Sequence, residues 1–306
     1  MKIVITGGAG FIASHIADAY VAAGHRVVVI DNLYSGLRNN VPAKAKFYKA
    51  DIRDAKAMDR IFKKERPDVL NHHAALISVT QSVREPRETF ATNAVGTLNA
   101  VLAFALSGPQ KKKVIFSSTG GAIYGNPKRI PADESTPPDP FSPYALTKQI
   151  DEQIIDYLAK AYDMNYVIFR YANVYGPRQK AQGGAGIFPI FTNLMRQGRT
   201  PTIFGDGKKT RDYVYVEDVA RASVLALKKG VRTTLNIASA KETSDDEVYS
   251  AIAKALGFKK KALYTPKRAG EVYRISMSAK KAKRVIGWSP RYSLAEGVAK
   301  TLQSFQ

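Results

Sequence analysis

Short apolar runs alternate with helical stretches through the first 176 residues, and this alternation limits the fold more than any other feature. The runs KIVITGG (2–8), HRVVVIDN (25–32), KFYKADIRD (46–54), PDVLNHHAA (67–75), KKVIFSST (112–119) and NYVIFRYANVYG (165–176) are largely apolar and rich in β-branched residues. Strands without a regular polar face are buried on both sides, as in a parallel sheet covered by helices. Between the first two runs, FIASHIADAYVAAG carries Ile12, Ile16, Ala17 and Tyr20 at helical spacing and stops at Gly24. Residues 55–65, 88–106 and 143–162 read as further helices. The expected class is α/β with a doubly wound parallel sheet. After residue 176 the pattern loosens into a glycine-rich loop, a helix at 187–198, a strand and helix within 210–230, a strand near 234–239 and a helix at 244–257. The expected division is therefore 1–176 as a nucleotide-binding domain and 177–306 as a smaller, interleaved substrate lobe, some of whose segments return to the first domain.

The turn after the first run reads TGGAGFIA. Gly8, Gly10 and Ala13 fit G-x-G-x-x-G/A between a strand and a helix. Missing side chains let backbone approach a pyrophosphate at the helix N-terminus, which makes this a Rossmann-type dinucleotide site. Asp31 ends the second run and can accept from ribose hydroxyls, while its charge would repel a 2′-phosphate, so NAD is expected rather than NADP.

There are no cysteines, which excludes disulfides, thiolate metal sites and a cysteine nucleophile and fits a cytoplasmic location. No metal site is expected. No run of about 18 apolar residues is present, and only IVI precedes the first glycines, so neither a membrane span nor a signal peptide is expected. The 47 Lys and Arg against 26 Asp and Glu give a net charge of +21, clustered at 111–113, 259–261 and 280–284. Such charge suits an anionic substrate or nucleic acid. With no recognition-helix or RNP-like motif, nucleic acid is the minor reading.

SPYALTK (142–148) sets Tyr144 and Lys148 one helical turn apart. Alone, it reads equally as an ordinary helix start, with Ser142 as cap and Pro143 in the first turn. Beside a dinucleotide site it reads as a tyrosine whose ionisation is favoured by the lysine and by a positive nicotinamide ring, a general base near neutral pH.

In order along nearly the whole chain, TGGAGFIASH, DNL, DIRD, HHAA, SSTGGAIYG, SPYALTK, RYANVYGPRQ, TRDYVYVEDVA and RAGE resemble the extended short-chain dehydrogenase/reductase family. Within it the chain is most similar to the nucleotide-sugar epimerases acting on UDP-glucose. Ala13 stands where the family has a third glycine. The resemblance implies that Gly7, Gly10, Phe11 and Ile12 follow the NAD pyrophosphate. It implies Asp31 and Asn32 at the adenosine ribose, Asp51 and Ile52 at the adenine, and Ala74, Ala75 and Asn93 along the inner edge. It gives Tyr144 the role of base, with Lys148 also reaching the nicotinamide ribose. A hydroxyl bridging substrate and tyrosine falls on Thr119 by counting from the strand, with Ser118 in reserve. Gly120 and Gly121 follow where family dehydratases and decarboxylases have an acid, which argues against both reactions. Arg211, Asn173 and Arg268 would face the nucleotide diphosphate and Glu271 its ribose. Phe188 and Phe204 are either base-stacking neighbours or core aromatics, and Ile275 either borders the sugar pocket or belongs to the core. The implied activity is NAD-dependent epimerisation at C4 of a UDP-sugar through a 4-keto intermediate, UDP-glucose and UDP-galactose foremost. The alternatives are a UDP-N-acetylglucosamine or UDP-glucuronate 4-epimerase, a net reductase of the same family, or an idle member that binds nucleic acid. The family pairs the helices near 87–106 and 144–162 across a two-fold axis, so a homodimer is expected.

Overall fold

The computed structural model describes residues 1–108, 111–181, 186–267 and 272–304. The apolar runs become β1 (Lys2–Thr6), β2 (Arg26–Asp31), β3 (Lys46–Lys49), β4 (Val69–His72), β5 (Lys113–Thr119) and β6 (Asn165–Tyr171). Four short strands, β7 (Asn173–Tyr175), β8 (Thr202–Phe204), β9 (Thr210–Arg211) and β10 (Tyr213–Tyr215), precede β11 (Thr233–Ile237). One seven-stranded sheet runs in the order β11-β6-β5-β4-β1-β2-β3, parallel throughout. Ile3 sits opposite both Val27 and Val69, and Thr119 opposite Tyr171. The chain winds outward in both directions from β1, so a crevice opens at the carboxyl ends of β1 and β4, where such folds bind ligands.

Side chains leave the strands alternately toward two layers. Ile3, Ile5, Val27, Val29 and Phe169 pack with α1 (Phe11–Ala22), while Val4, Val28, Ile30, Val114 and Phe116 pack with α2 (Ala55–Glu65). The second layer continues past α3 (Val79–Arg84) and α4 (Pro86–Phe90) into α5 (Gly96–Leu106), and past the short α6 (Gly120–Ile123) into α7 (Pro143–Ala161). Fully burying Phe104 and Phe116 here contributes roughly 1.5–3 kcal/mol each. Ser142 caps α7 by accepting from Ala145 N at 3.1 Å, with Pro143 in the first turn. One π-helical turn, Ala91–Val95, links α4 and α5 where a single regular helix was expected. The combined Pro86–Leu106 helix is long and apolar enough to cross a membrane by length and composition alone. Half of its most apolar window is buried inside the fold, as in a core helix.

After α8 (Ile187–Arg196) comes α9 (Val216–Ala226), which packs against α1, with the Tyr20 hydroxyl donating to Ser223 O. Thus α9 and β11, from the stretch assigned to the second lobe, lie in the central layers. A separate aromatic core of Tyr175, Phe188, Phe191, Tyr213, Tyr215 and Tyr249 holds α8 to α10 (Asp245–Leu256).

Candidate active site

A cleft of about 350 Å³ opens at the switch point. Its floor is Gly7, Gly10, Phe11 and Ile12, its far end Asp31, Asn32, Asp51 and Ile52, and its inner wall Ala74 and Ala75. Gly7 has φ +69°, and a Cβ there would lie 2.7 Å from Ala74 N and 2.9 Å from the His73 carbonyl carbon. Glycine is therefore required both by conformation and by the approach of the β4 loop. Ala13 is buried, so its methyl group fits where the family has glycine. Asp31 accepts from Ala9 N at 3.0 Å and Leu33 N at 2.7 Å. Burial pushes its carboxyl up, opposed by those two bonds. Asp51 is held down to about 2, chiefly by hydrogen bonds from the Arg53 guanidinium, and Asn32 Nδ2 donates to it at 3.0 Å. Glycines that a side chain would block, a carboxylate at the β2 terminus and an elongated cleft between them fit an NAD molecule.

Asn93 departs from the expectation. It does not line the cleft. Its amide accepts from Leu76 N at 2.8 Å and donates to Leu76 O at 3.0 Å and to Thr147 Oγ1 at 3.0 Å. It braces the wall residue Leu76 from the π-helical turn, an irregularity often found at functional sites.

The acid–base group stands at the carboxyl end of β5. Ser117 and Thr119 share one face of the strand, and Ser117 lines the cleft. The Thr119 hydroxyl accepts from Ala122 N at 3.3 Å, capping α6, and lies close enough to the Tyr144 phenol to favour its ionised form. Ser118 points the other way, donating to Glu152 Oε1 at 2.5 Å, and Glu152 also takes Arg170 Nε at 3.0 Å and Nη2 at 2.6 Å. The reserve assignment to Ser118 is thereby corrected: its hydroxyl belongs to a buried ion pair.

The protons of Tyr144 and Lys148 are set by burial and by the charges around them. Burial pushes the phenol up to about 12, the Thr119 bond lowers it and Asp151 raises it further. Lys148 Nζ sits 3.8 Å from Asp151 Oδ2 and 4.6 Å over the Phe116 ring. His73 lines the cleft beside them, held neutral by burial at about 3, with Nε2 3.2 Å from the Tyr171 hydroxyl.

The residues expected to meet a sugar nucleotide are less concentrated. Asn173 reaches toward Gly121, two residues past Thr119, its Oδ1 3.4 Å from where a Cβ would stand. Arg211 lies on β9 and donates to Thr210 O at 2.8 Å. Phe188 is buried and stacked on Tyr175 at 4.2 Å between ring centroids, so in this state it is a core aromatic, not a stacking platform. Phe204 ends β8 opposite Thr265 of β13 (Leu263–Thr265), which follows β12 (Thr243–Ser244). Ile275 is 2% exposed and packs in the main core. Arg268 and Glu271 lie outside the described residues. Sequence reading missed Ser117, Arg53 and Asp151, although Arg53 stands two residues after Asp51 and Asp151 one turn after Lys148.

A dinucleotide cleft at the switch point, with a tyrosine, a lysine and a hydroxyl grouped at the next strand's end, defines a class of enzymes that move hydride and proton at a carbinol. The model of the NAD dependent epimerase/dehydratase family matches residues 3–238, and the chain belongs to that family. The UDP-glucose 4-epimerase of Mycolicibacterium smegmatis is 40% identical over 312 residues, spanning 100% of this chain and 99% of that protein. Among solved structures, the UDP-glucose 4-epimerase of Thermotoga maritima with UDP-glucose has a TM-score of 0.96 at 42% identity, covering 100% of this chain and 98% of the other. The Thermus thermophilus UDP-glucose 4-epimerase complex with NAD has a TM-score of 0.93 at 39% identity, covering 100% and 99%.

Proposed function

We propose that this chain is an NAD-dependent epimerase acting at C4 of a UDP-sugar, with UDP-glucose and UDP-galactose as its substrate pair. The observation that carries this is the grouping of Thr119, Tyr144 and Lys148 at the carboxyl end of β5 beside a cleft that fits NAD. Bound NAD supplies the group that takes a hydride from C4 and gives it back, and its oxidised ring adds positive charge. The Tyr144 oxygen takes the C4 hydroxyl proton as the carbonyl forms and returns it after the flat 4-keto sugar has turned over. Thr119 aligns that oxygen, and Lys148 contributes charge from one turn away. Asn173 and Arg211, with Arg268 and Glu271, are the proposed grip on the nucleotide, so that the sugar turns while its anchor stays fixed.

The test is incubation with UDP-glucose, UDP-galactose, UDP-N-acetylglucosamine and UDP-glucuronate, with no NAD added, followed by detection of C4 epimers. Tyr144→Phe keeps the ring and is expected to lose ~10²-fold or more in turnover, the scale of a positioned acid–base group. Wild-type turnover in that variant refutes the mechanism. The proposed assembly is a homodimer. Val95, Leu98, Leu106 and Tyr157 are exposed apolar residues on the two helices expected to pair, whereas Leu158 belongs to the core. Light scattering at micromolar concentration checks it, and a monomer contradicts it. Two lysines of the 111–113 cluster are structural: Lys112 Nζ donates to Phe104 O and Ala105 O, Lys113 Nζ to Ala226 O and Lys229 O. That use of the charge weakens the nucleic-acid alternative.

A further inference from the structure

Asp151 lies one turn after Lys148 on α7 and is 0% exposed. Among the described residues, neither carboxylate oxygen has a hydrogen bond of ordinary geometry. Burial pushes its carboxyl up to about 7, opposed by the Lys148 charge and by Thr97 of α5. Burying an ion costs several kcal/mol in real proteins, and an apolar residue would fill this place without that penalty.

The surrounding groups leave Lys148 as the cation that answers it. On α7, Glu152 is engaged by Arg170 of β6 and Ser118 of β5. On α5, Thr97 Oγ1 lies 2.9 Å from Nε2 of His72 of β4, which burial keeps neutral, and His73 is neutral for the same reason. From β5, Phe116 offers its ring face to the ammonium. Tyr144, one turn before Lys148, feels the Asp151 charge as opposition to its own ionisation. Burial pulls Lys148 toward its neutral form, and Asp151, with Glu152, pulls it back.

We propose that Asp151 is a positioning residue of the epimerase site, supplying the counter-charge that keeps the Lys148 ammonium protonated inside the protein. The assignment rests on the reading of Tyr144 and Lys148 as the reacting pair. It gives Asp151 the same effect on both: it holds the proton on Lys148, and it also holds the proton on Tyr144. Removing its charge lowers the pH at which each lets go.

The experiment is the pH profile of kcat/KM for UDP-galactose in wild type, Asp151→Asn and Asp151→Glu, with melting temperature as the control for folding. Asp151→Asn preserves size and removes charge. Its alkaline limb is expected to move toward acid by roughly one pH unit or more, the acid limb moving in the same direction, and Asp151→Glu is expected to restore part of the shift. A lower but unshifted profile in folded Asp151→Asn overturns the proposal, because a merely structural role changes height alone. If Asp151→Asn does not fold, the wild-type protein gives the answer. The 13C shift of the Lys148 ε-carbon, assigned through Lys148→Arg, is expected to stay that of the charged form at pH 7, and a neutral amine there overturns the proposal. An active Tyr144→Phe removes the reacting pair itself, whereas an inactive Tyr144→Phe with an unshifted Asp151→Asn removes only the role of Asp151.

Discussion

Ser118 and Thr119 are adjacent hydroxyls at one strand end, yet their removal should separate catalysis from stability. Thr119→Val keeps the shape and deletes the oxygen that caps α6 and favours the Tyr144 phenolate, the proposed partner of the base. The lost cap costs about 1 kcal/mol of stability. The lost bond matters most when the phenol carries charge, and hydrogen bonds to charged groups contribute about 1.5–3 kcal/mol. At about 1.4 kcal/mol per factor of ten, kcat should fall by about 10- to 100-fold. Ser118→Ala removes a donor to Glu152 but leaves both Arg170 bonds in place. It should lower stability by about 1–2 kcal/mol with kcat within a few-fold of wild type. The assay is conversion of UDP-galactose to UDP-glucose at saturating substrate, paired with urea unfolding of each variant. A larger loss of kcat in Ser118→Ala than in Thr119→Val refutes the assignment of roles.

Asp31→Ala removes the proposed ribose acceptor and strands the amides of Ala9 and Leu33. NAD affinity should fall and discrimination against NADP shrink, measured by titration of both cofactors; a purified protein that prefers NADP from the outset contradicts the reading. Gly7→Ala must place a methyl group against the Ala74 backbone from a left-handed conformation, so NAD affinity should drop at least about tenfold; unchanged affinity in a folded variant would show that the loop yields. Glu65 makes a third case. Burial raises its carboxyl, but bonds from Lys46, Tyr48 and Lys2 outweigh it and hold the group at about 2. A depressed folded-state pKa means stability that is present above pH 4.5 and lost as pH falls toward 2. Glu65→Gln should flatten acid unfolding in that window while lowering stability at pH 7, and an unchanged acid limb would remove Glu65 as its source.

The sheet was legible because burial on both faces leaves a strong signature. Val27 to Ile30 is a continuous apolar run, and such a run has few alternatives to a central parallel strand. The glycine turn was legible for a related reason: Gly7 acts through backbone geometry, a constraint that survives reading in one dimension. What escaped was set by packing. The short strands β8, β9 and β12 are two or three residues long and exist through their partners, β13 among them. The π-helical turn at Ala91–Val95 has no turn residue to announce it. Asn93 looked like a lining residue, but whether its amide faces the cleft or braces Leu76 depends on that extra residue in the turn.

The reacting group marks where spacing stops being informative. Tyr144 and Lys148 are one turn apart, and the helix does place them on one side, but proximity on a helix does not fix protonation. The phenol is pushed to about 12 by the same burial that shields the site from water, and the nearest carboxylate adds to the effect. A base so hard to ionise is useful only if binding changes its surroundings. The Thr119 hydroxyl favours the phenolate at all times, whereas the positive ring of oxidised NAD would do so only when seated. On the proposed mechanism base strength would be coupled to cofactor occupancy, because burial favours the protonated tyrosine and an oxidised nicotinamide ring would favour the phenolate. Strand alternation carried the other half of the answer, since Thr119 and Ser118 differ by one residue and so face opposite layers, one toward Tyr144 and one toward the Glu152–Arg170 pair.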